Sequence, residues 1–244
     1  MPTREEFLVR VMHHLGTRLK EHLVLKGGML LRLYNSPRST QDIDYILLSE
    51  ESKKILVGQI REALKEIPYL VIRKEELNSR GIWIDVEESS SKTRALIDVS
   101  VQPSTELPPE PLSTASLSTQ YSIPAVIIST MALPEAFSHK IAACVEREAT
   151  RDLYDMSLLE PQTHFDKNTL IKRFSSLAIK KSKPRKIDFQ EAAGILRQRL
   201  TDLTEERLRQ DVYPLIPKTH REGLFKIIQA SVLRVIQKIE TLGL

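Results

Sequence analysis

Residues 23–48 have the sequence LVLKGGMLLRLYNSPRSTQDIDYILL. An apolar run ends at Gly27-Gly28, and a second apolar run carries Asp42-Ile43-Asp44 at its start. This pattern predicts a strand that enters a glycine turn and, after a break at Pro37, another strand over 41–48. Alternate residues of a strand share a face, so Asp42 and Asp44 are expected side by side while Ile43 points into a core. Adjacent carboxylates repel each other unless a cation lies between them, which predicts a metal site here.

Mg²⁺ (or Mn²⁺) is the expected cation, because it prefers hard oxygen ligands and shares its coordination shell with substrate phosphates. The glycine turn exposes backbone N–H groups to which phosphates can come close. A third acid on a neighbouring strand would complete a metal clamp. Asp98, bracketed by the apolar residues Ile97 and Val99, is the preferred candidate, and Asp85 competes with it.

The remaining pattern separates strands from helices. Residues 81–88 and 93–101 alternate apolar and polar side chains and predict an antiparallel hairpin with one buried face. The proline-rich segment 103–124 is expected to be a loop, and a short strand is expected over 125–128. From Pro134 onwards the apolar spacing is helical. We therefore predict an α+β fold, with a mixed-sheet lobe over 1–128 and a helical lobe over 129–244 that completes the active-site cleft.

Composition narrows the class of protein. The chain has 244 residues, 41% of them hydrophobic and 28% charged, which is typical of a globular protein and excludes disordered and fibrous classes. Its single cysteine, Cys144, excludes an intramolecular disulfide and a cysteine-based zinc cluster. No apolar run approaches the ~20 residues that span a bilayer. We expect a cytoplasmic protein without a membrane partner, and the net charge of +4 weakly favours an anionic partner.

Together, Gly27-Gly28, Asp42-Ile43-Asp44 and Asp98 resemble the pattern of the nucleotidyltransferase superfamily. The longer strings 25–31 and 38–44 resemble the AbiEii/AbiGii nucleotidyltransferase toxins in particular. So does a downstream lysine, Lys140, followed by the segment Arg151-Asp152-Leu153-Tyr154-Asp155. The matching blocks span roughly residues 23–160. One departure is Met29, which replaces the small hydroxyl residue that often follows the glycine pair and cannot donate a hydrogen bond to phosphate.

This resemblance implies a nucleotidyltransferase-fold lobe and a Mg²⁺-dependent transfer of a nucleotide to the 3′ end of tRNA, which blocks translation. It also implies a cognate antitoxin protein. Asp42, Asp44 and Asp98 would hold metal, with help in deprotonating the acceptor as the alternative role of Asp98. Gly27, Gly28, Arg38 and Lys140 would bind the substrate, a nucleoside triphosphate. Lys140, Asp152 and Asp155 would serve catalysis together with the three metal-binding acids. One of the two helical aspartates, which lie three residues apart on one face, is expected to orient Lys140 or Arg151.

Two further predictions concern charge. Seven cations and no acid lie between 172 and 186, and we interpret them as RNA-binding candidates because RNA affinity is largely phosphate neutralisation. They are Lys172, Arg173, Lys180, Lys181, Lys183, Arg185 and Lys186. No regular interleaving of aromatic residues indicates base stacking. Thr40, two residues before Asp42, is a candidate regulatory phosphorylation site, because a phosphate there would repel a triphosphate.

Two other functions stay open at this point. The first is a nucleotidyltransferase that modifies a protein or a small molecule, with the basic run merely facing solvent. The second is an inactive nucleotide-binding scaffold. The intact aspartate pair argues against this second function.

Overall fold

The computed structural model of the protein describes residues 3–78, 81–179 and 182–242. Its contacts divide the chain into two units, Met1–Ala132 and Leu133–Leu244, which we call the sheet unit and the helical unit. The predicted lobes are separated four residues earlier, after residue 128. An α+β fold is confirmed, because every strand of the described sheet lies in the first unit and long helices make up the second.

The sheet unit contains a mixed seven-stranded sheet with the strand order β3-β4-β5-β2-β1-β7-β6. Its strands are β1 (Leu23–Lys26), β2 (Asp42–Leu48), β3 (Leu70–Leu77), β4 (Gly81–Glu88), β5 (Arg94–Gln102), β6 (Glu110–Ser113) and β7 (Ile127–Thr130). Its helices are α1 (Arg4–Leu19), α2 (Gly27–Leu33), α3 (Lys53–Lys65) and α4 (Ala115–Ser118). β2 runs parallel to β5 and antiparallel to β1, so the predicted aspartate strand lies in the middle of the sheet.

Alternation along the strands produces one apolar and one polar face near the aspartates. Ile43 of β2 and Ile97 and Val99 of β5 are fully buried, as predicted, and α1 and α3 pack against the sheet. The intervening Asp42, Asp44 and Asp98 are half-buried. Burial of the apolar set fixes the register, since a shift by one residue would exchange the two faces.

Three parts of the sheet unit differ from the prediction. Strand β3 was not predicted, because its sequence LVIRKEEL does not alternate between apolar and polar residues. Its pairing with β4 is also irregular, with a register shift between Ile72 and Lys74. The segment 103–124, predicted as a loop, contains β6 and α4. Pro111 is tolerated in β6 because this strand forms the edge of the sheet and pairs only with β7. The strand predicted over 125–128 lies at Ile127–Thr130.

The helical unit contains six α-helices among its described residues. They are α5 (Leu133–Glu146), α6 (Thr150–Leu159), α7 (Lys167–Phe174), α8 (Phe189–Thr201), α9 (Glu205–Asp211) and α10 (Leu224–Leu242). Asp188 caps α8 by accepting a hydrogen bond from the backbone N–H of Glu191. Ile228, Val235 and Ile239 form the buried stripe of α10, which packs against α8 and α6.

Candidate active site

The register of the sheet brings two of the predicted acids together. β2 and β5 are parallel neighbours in which Asp44 pairs with Asp98 and Asp42 pairs with Leu96. Neighbouring strands lie about 4.8 Å apart, and residues paired in register have their side chains on the same face. We call the face that bears Asp42, Asp44 and Asp98 the acid face.

A row of side chains extends across four strands of the acid face. Lys26 of β1 pairs with Asp44, Asp44 pairs with Asp98, and Asp98 pairs with Trp83 of β4. The ammonium of Lys26 donates a 2.9 Å hydrogen bond to the hydroxyl of Ser100. The two carboxylates in the row are thus flanked by a cation on one side and an indole on the other.

The electrostatics of Asp98 reflect this position. Burial raises the pKa of its carboxyl group, the charge of Lys26 and a hydrogen bond with the Trp83 indole oppose that rise, and the charge of Asp42 adds to it. The net direction is a raised pKa. The raised pKa of Asp98 therefore reflects chiefly the partial burial of its carboxyl group, with a smaller contribution from the negative charge of Asp42.

The alternative third acid lies farther from the aspartate pair. Asp85 of β4 pairs with Leu96, and Leu96 in turn pairs with Asp42, so the β5 strand separates Asp85 from both aspartates of β2. Asp98 is instead on the strand next to them. The register favours Asp98 over Asp85.

Thr40 contacts the first aspartate directly. Its Oγ1 donates a 2.7 Å hydrogen bond to Oδ1 of Asp42, and the residue is only 7% exposed. The bond holds the carboxylate of Asp42 in one orientation. Phosphorylation of Thr40 stays a prediction, and in this structure the hydroxyl would have to leave Asp42 before a kinase could reach it.

The glycine turn accommodates the acid-face side chains. Gly27 has φ +68°, and a Cβ there would lie 1.9 Å from Oδ2 of Asp44. A Cβ on Gly28 would lie 2.6 Å from Oγ1 of Thr40. Two side chains that define the site therefore approach the backbone of both glycines closely. Glycine is therefore required at both positions to leave room for these side chains. This is a second reason for glycine here, besides the access for phosphates that the sequence pattern predicts.

Arg38, the predicted phosphate ligand, is held against the same turn. It is 8% exposed, and its Nη1 donates a 3.3 Å hydrogen bond to the carbonyl of Ser39. Its Nη2 would be 3.4 Å from a Cβ on Gly28. The guanidinium thus lies next to Gly28 and Thr40, while its contact with phosphate stays a prediction.

The donor set suits a hard divalent cation that is completed by substrate. Within the described residues, no three acidic, histidine or cysteine side chains are gathered into a preformed metal centre. Mg²⁺ is usually held by one or two carboxylates together with waters and substrate phosphates rather than by an all-protein cage. The half-buried carboxylates of Asp42 and Asp44 on one sheet face fit that mode of binding.

The other predicted catalytic residues form an ionic cluster around two buried aspartates in the helical unit. Nζ of Lys140 on α5 lies 2.7 Å from Oδ2 of Asp155 and 3.6 Å from Oδ1 of Asp152. Arg147 donates two hydrogen bonds to Asp152, of 2.6 and 2.9 Å. Burial raises the pKa of Asp152, but the bond from Arg147 and the charge of Lys140 outweigh it and lower that pKa overall. We call Lys140, Arg147, Asp152 and Asp155 the lysine cluster.

The comparisons with known proteins decide the family. The family model described as "Nucleotidyl transferase AbiEii toxin, Type IV TA system" matches residues 12–228. The chain belongs to the AbiEii nucleotidyltransferase toxin family. It is therefore a nucleotidyltransferase, and the resemblance drawn from the two motif blocks is confirmed. No match was found among curated proteins.

Three solved structures share the fold of this AbiEii family member. MenT4, a nucleotidyltransferase toxin from Mycobacterium tuberculosis H37Rv, is 17% identical with a TM-score of 0.60, and the match covers 97% of this chain and 87% of MenT4. A putative nucleotidyltransferase from Helicobacter pylori is 14% identical with a TM-score of 0.60 and 99% coverage of both chains. JHP933 from Helicobacter pylori is 14% identical with a TM-score of 0.58, covering 99% and 95%. At these identities the similarity supports the fold alone.

The basic run of this AbiEii family member is exposed where the structure describes it. Lys172, Arg173, Lys183, Arg185 and Lys186 are all exposed, whereas Lys180 and Lys181 lie outside the described residues. Arg185 is paired with Glu191 through two contacts, one of them 2.9 Å. RNA binding by this segment stays a prediction.

None of the described helices is long and apolar enough to cross a membrane.

Sequence reasoning missed one feature of the acid face. Trp83 is 39% exposed and lines a pocket of about 510 Å³ together with Leu96, Asp42 and Asp85. The signal was present, because Trp83 lies on the polar face of β4 while Ile82 and Ile84 are buried. A search for regularly spaced aromatic residues does not detect one isolated tryptophan, which lies beside Asp98 only because of the register of the strands.

Proposed function

We propose that the protein is a Mg²⁺-dependent toxin that transfers a nucleoside monophosphate from a nucleoside triphosphate to the 3′ end of tRNA and so blocks translation. The observation that carries the proposal is the pairing of Asp44 with Asp98 on neighbouring strands beside the glycine turn, in a chain of the AbiEii family. The chemistry of these donors suits a reaction in which charge on a phosphoryl group is stabilised by metal.

Each acid has a distinct role in this reaction. Asp42 and Asp44 would hold Mg²⁺, or Mn²⁺ in its place, and the bound cation would neutralise charge on the triphosphate. Asp98 accepts the hydrogen bond of the acceptor's 3′-hydroxyl and directs the oxygen towards the α-phosphorus. A bond forms between that oxygen and phosphorus, the proton of the hydroxyl passes to the Asp98 carboxylate, the bond from phosphorus to the bridging oxygen breaks, and pyrophosphate leaves. The Thr40 hydroxyl keeps Asp42 in the orientation that binding requires.

The proposal also includes the predicted cations. Arg38 binds phosphate from beside the glycine turn. Lys140 supports transfer with its ammonium oriented by Asp155 and Asp152, which lie on one face of α6. The matching Lys140 and Arg151–Asp155 blocks in an AbiEii family chain support this role. A cognate antitoxin and action in the cytoplasm complete the proposed biology.

The test is transfer of label from each of the four α-³²P-labelled triphosphates to total RNA in the presence of Mg²⁺. Label in the tRNA band is the expected result, with loss of label on chelation and recovery on adding Mg²⁺ or Mn²⁺. Asp44→Ala is the inactive comparison, and Glu222→Gln, an exposed acid of the helical unit, is the control. Label on protein would instead indicate a protein-modifying transferase, and no label on any acceptor an inactive scaffold.

A further inference from the structure

The acid face continues into a pocket that the proposed reaction has not used. The pocket has a volume of about 510 Å³ and is built entirely from residues of the sheet unit. Trp83 and Leu96 supply its apolar surface and are 39% and 38% exposed. Large apolar side chains that remain open to solvent beside a polar site are typical of ligand-binding surfaces.

The position of the pocket relative to the acids indicates whether it would hold the triphosphate or the acceptor. In the strand order β4-β5-β2-β1, the glycine turn follows β1, on one side of the β2 aspartates. Trp83 and Leu96 lie on the other side, on β4 and β5. In-line phosphoryl transfer requires the attacking oxygen and the leaving group on opposite sides of the phosphorus. With the triphosphate at the glycine turn, the pocket lies on the side from which the acceptor must approach.

We propose that this pocket binds the unpaired 3′-terminal nucleotide of the RNA acceptor, with its base stacked on the Trp83 indole and against Leu96. This inference rests on the proposed function and names its acceptor subsite. Unpaired terminal bases are recognised by stacking on aromatic side chains, and a pocket of this volume is in the range that holds one small ligand. Because Trp83 pairs with Asp98 across the sheet, a base on the indole brings its own ribose hydroxyl next to the acid that orients it.

Charges around the pocket agree with a nucleotide. Its lining includes Arg4, Lys74 and Arg94, balanced by Asp42, Glu76 and Asp85. Since Asp42 is assigned to the metal, the remaining lining has a positive excess. Lys74 and Arg94 are largely exposed, paired with Glu76 and Glu87, and can contact the phosphates that precede the terminal nucleotide.

Binding can be measured directly, because Trp83 is the only tryptophan of the chain. The probe is a single-stranded RNA pentamer that ends in CCA and lacks the 3′-hydroxyl, titrated in Mg²⁺ without triphosphate. Stacking is expected to quench the tryptophan fluorescence saturably, and ATP, CTP, GTP or UTP with Mg²⁺ is expected to leave it nearly unchanged. Quenching by a triphosphate and not by the pentamer, or by neither, would overturn the proposal.

Kinetics separate stacking from a general effect on structure. Trp83→Leu is expected to raise the KM for RNA about tenfold, because stacking of one base contributes about 1–3 kcal/mol. Its KM for triphosphate should change less than twofold, and Trp83→Phe should restore most of the affinity. Tyr69→Leu, which replaces another exposed aromatic residue of the sheet unit, is the matched control. An unchanged KM for RNA in Trp83→Leu would overturn the proposal.

The two tests also distinguish this inference from the proposed function. Transfer of label to RNA without quenching would leave the nucleotidyltransferase reaction intact and remove the Trp83 subsite. Quenching by the pentamer in a protein that transfers no nucleotide to RNA would retain the subsite and remove the proposed reaction.

Discussion

The acid face and the lysine cluster contain similar aspartates in opposite surroundings. On the acid face, Asp42 and Asp44 are half-buried and Asp98 has Lys26 as the nearest cation in its row. In the lysine cluster, Asp152 and Asp155 are fully buried and bonded to Arg147 and Lys140. The first arrangement places carboxylates at a partly open sheet face beside a pocket, whereas the second encloses them among the cations of the helical unit.

This difference predicts different consequences of mutation. A carboxylate that faces solvent contributes little to folding but can contribute much to binding a cation and to catalysis. A buried ion pair is costly to break, because removal of one partner leaves an uncompensated charge. The two regions should therefore respond oppositely in activity and in stability.

The largest expected effect is on catalysis at the acid face. Asp98→Asn should lower kcat by at least about 10³-fold, since loss of several kcal/mol of transition-state stabilisation is expected when a group that acts on the nucleophile is replaced. Its melting temperature should stay close to that of the wild type. Asp85→Asn, one strand farther from the aspartates of β2, should have a much smaller effect on kcat. A reversed order of the two variants would assign the third-acid role to Asp85.

The next effect concerns the stability of the lysine cluster. Lys140→Met should reduce the free energy of unfolding by about 3 kcal/mol, because the Asp155 carboxylate loses its 2.7 Å partner inside the helical unit. Adding Asp155→Leu should recover most of that loss, as measured by denaturant unfolding of both variants.

Activity of the double variant then defines the role of the Lys140–Asp155 pair. A protein that is stable but transfers no nucleotide would support the proposed role in the reaction. A protein that is stable and active would show that the lysine cluster serves stability only. The acid face would then be needed for activity and the lysine cluster for folding. Lys140→Met with unchanged stability would contradict the contrast itself.

The sequence predicted the acid face better than the lysine cluster, for a physical reason. Alternation on strands is strict, so Ile43 and Ile97 could be placed in the core and Asp44 and Asp98 on one face from the sequence alone. Lys140 and Asp155 meet between two helices, where spacing along the chain does not determine which side chains touch, and the resemblance to the family was needed to select them.

Some features that depend on which residues face each other across neighbouring strands were not predicted. Strand β3 pairs with β4, although four charged residues interrupt the apolar residues of its sequence LVIRKEEL. The proximity of Trp83 to Asp98 follows from the register of β4 on β5, and the predicted hairpin was not carried to the level of single residue pairs. Likewise, the turn was recognised from its glycines, but the close approach of Asp44 to Gly27 arises only in the folded sheet.

A smaller effect tests whether the glycine turn shapes the acid face. Gly27→Ala combines a positive φ with a Cβ that would overlap the Asp44 carboxylate. Gly223 has the same φ of +68°, but a Cβ there would meet nothing within 4 Å, so Gly223→Ala measures the backbone strain alone. We expect Gly223→Ala to cost about 1 kcal/mol of stability and Gly27→Ala about 2 kcal/mol more, with loss of transfer activity only in the latter. Equal unfolding free energies and equal activities would show that Asp44 does not depend on Gly27.

The smallest expected effect concerns the exposed cations of the helical unit. Because they are exposed, unlike the buried aspartates of the lysine cluster, we expect them to contribute to binding rather than to folding. Lys183→Ala with Lys186→Ala should weaken binding of tRNA several-fold and reduce the slope of log K against log salt by roughly 0.7 for each phosphate that the protein no longer neutralises. Lys218→Ala with Lys226→Ala removes the same charge from exposed positions outside the run and should leave the slope nearly unchanged. Unfolding free energies of both double variants should stay within about 0.5 kcal/mol of the wild type, in contrast to Lys140→Met. Equal salt slopes for the two double variants would mean that the run faces solvent without contacting RNA.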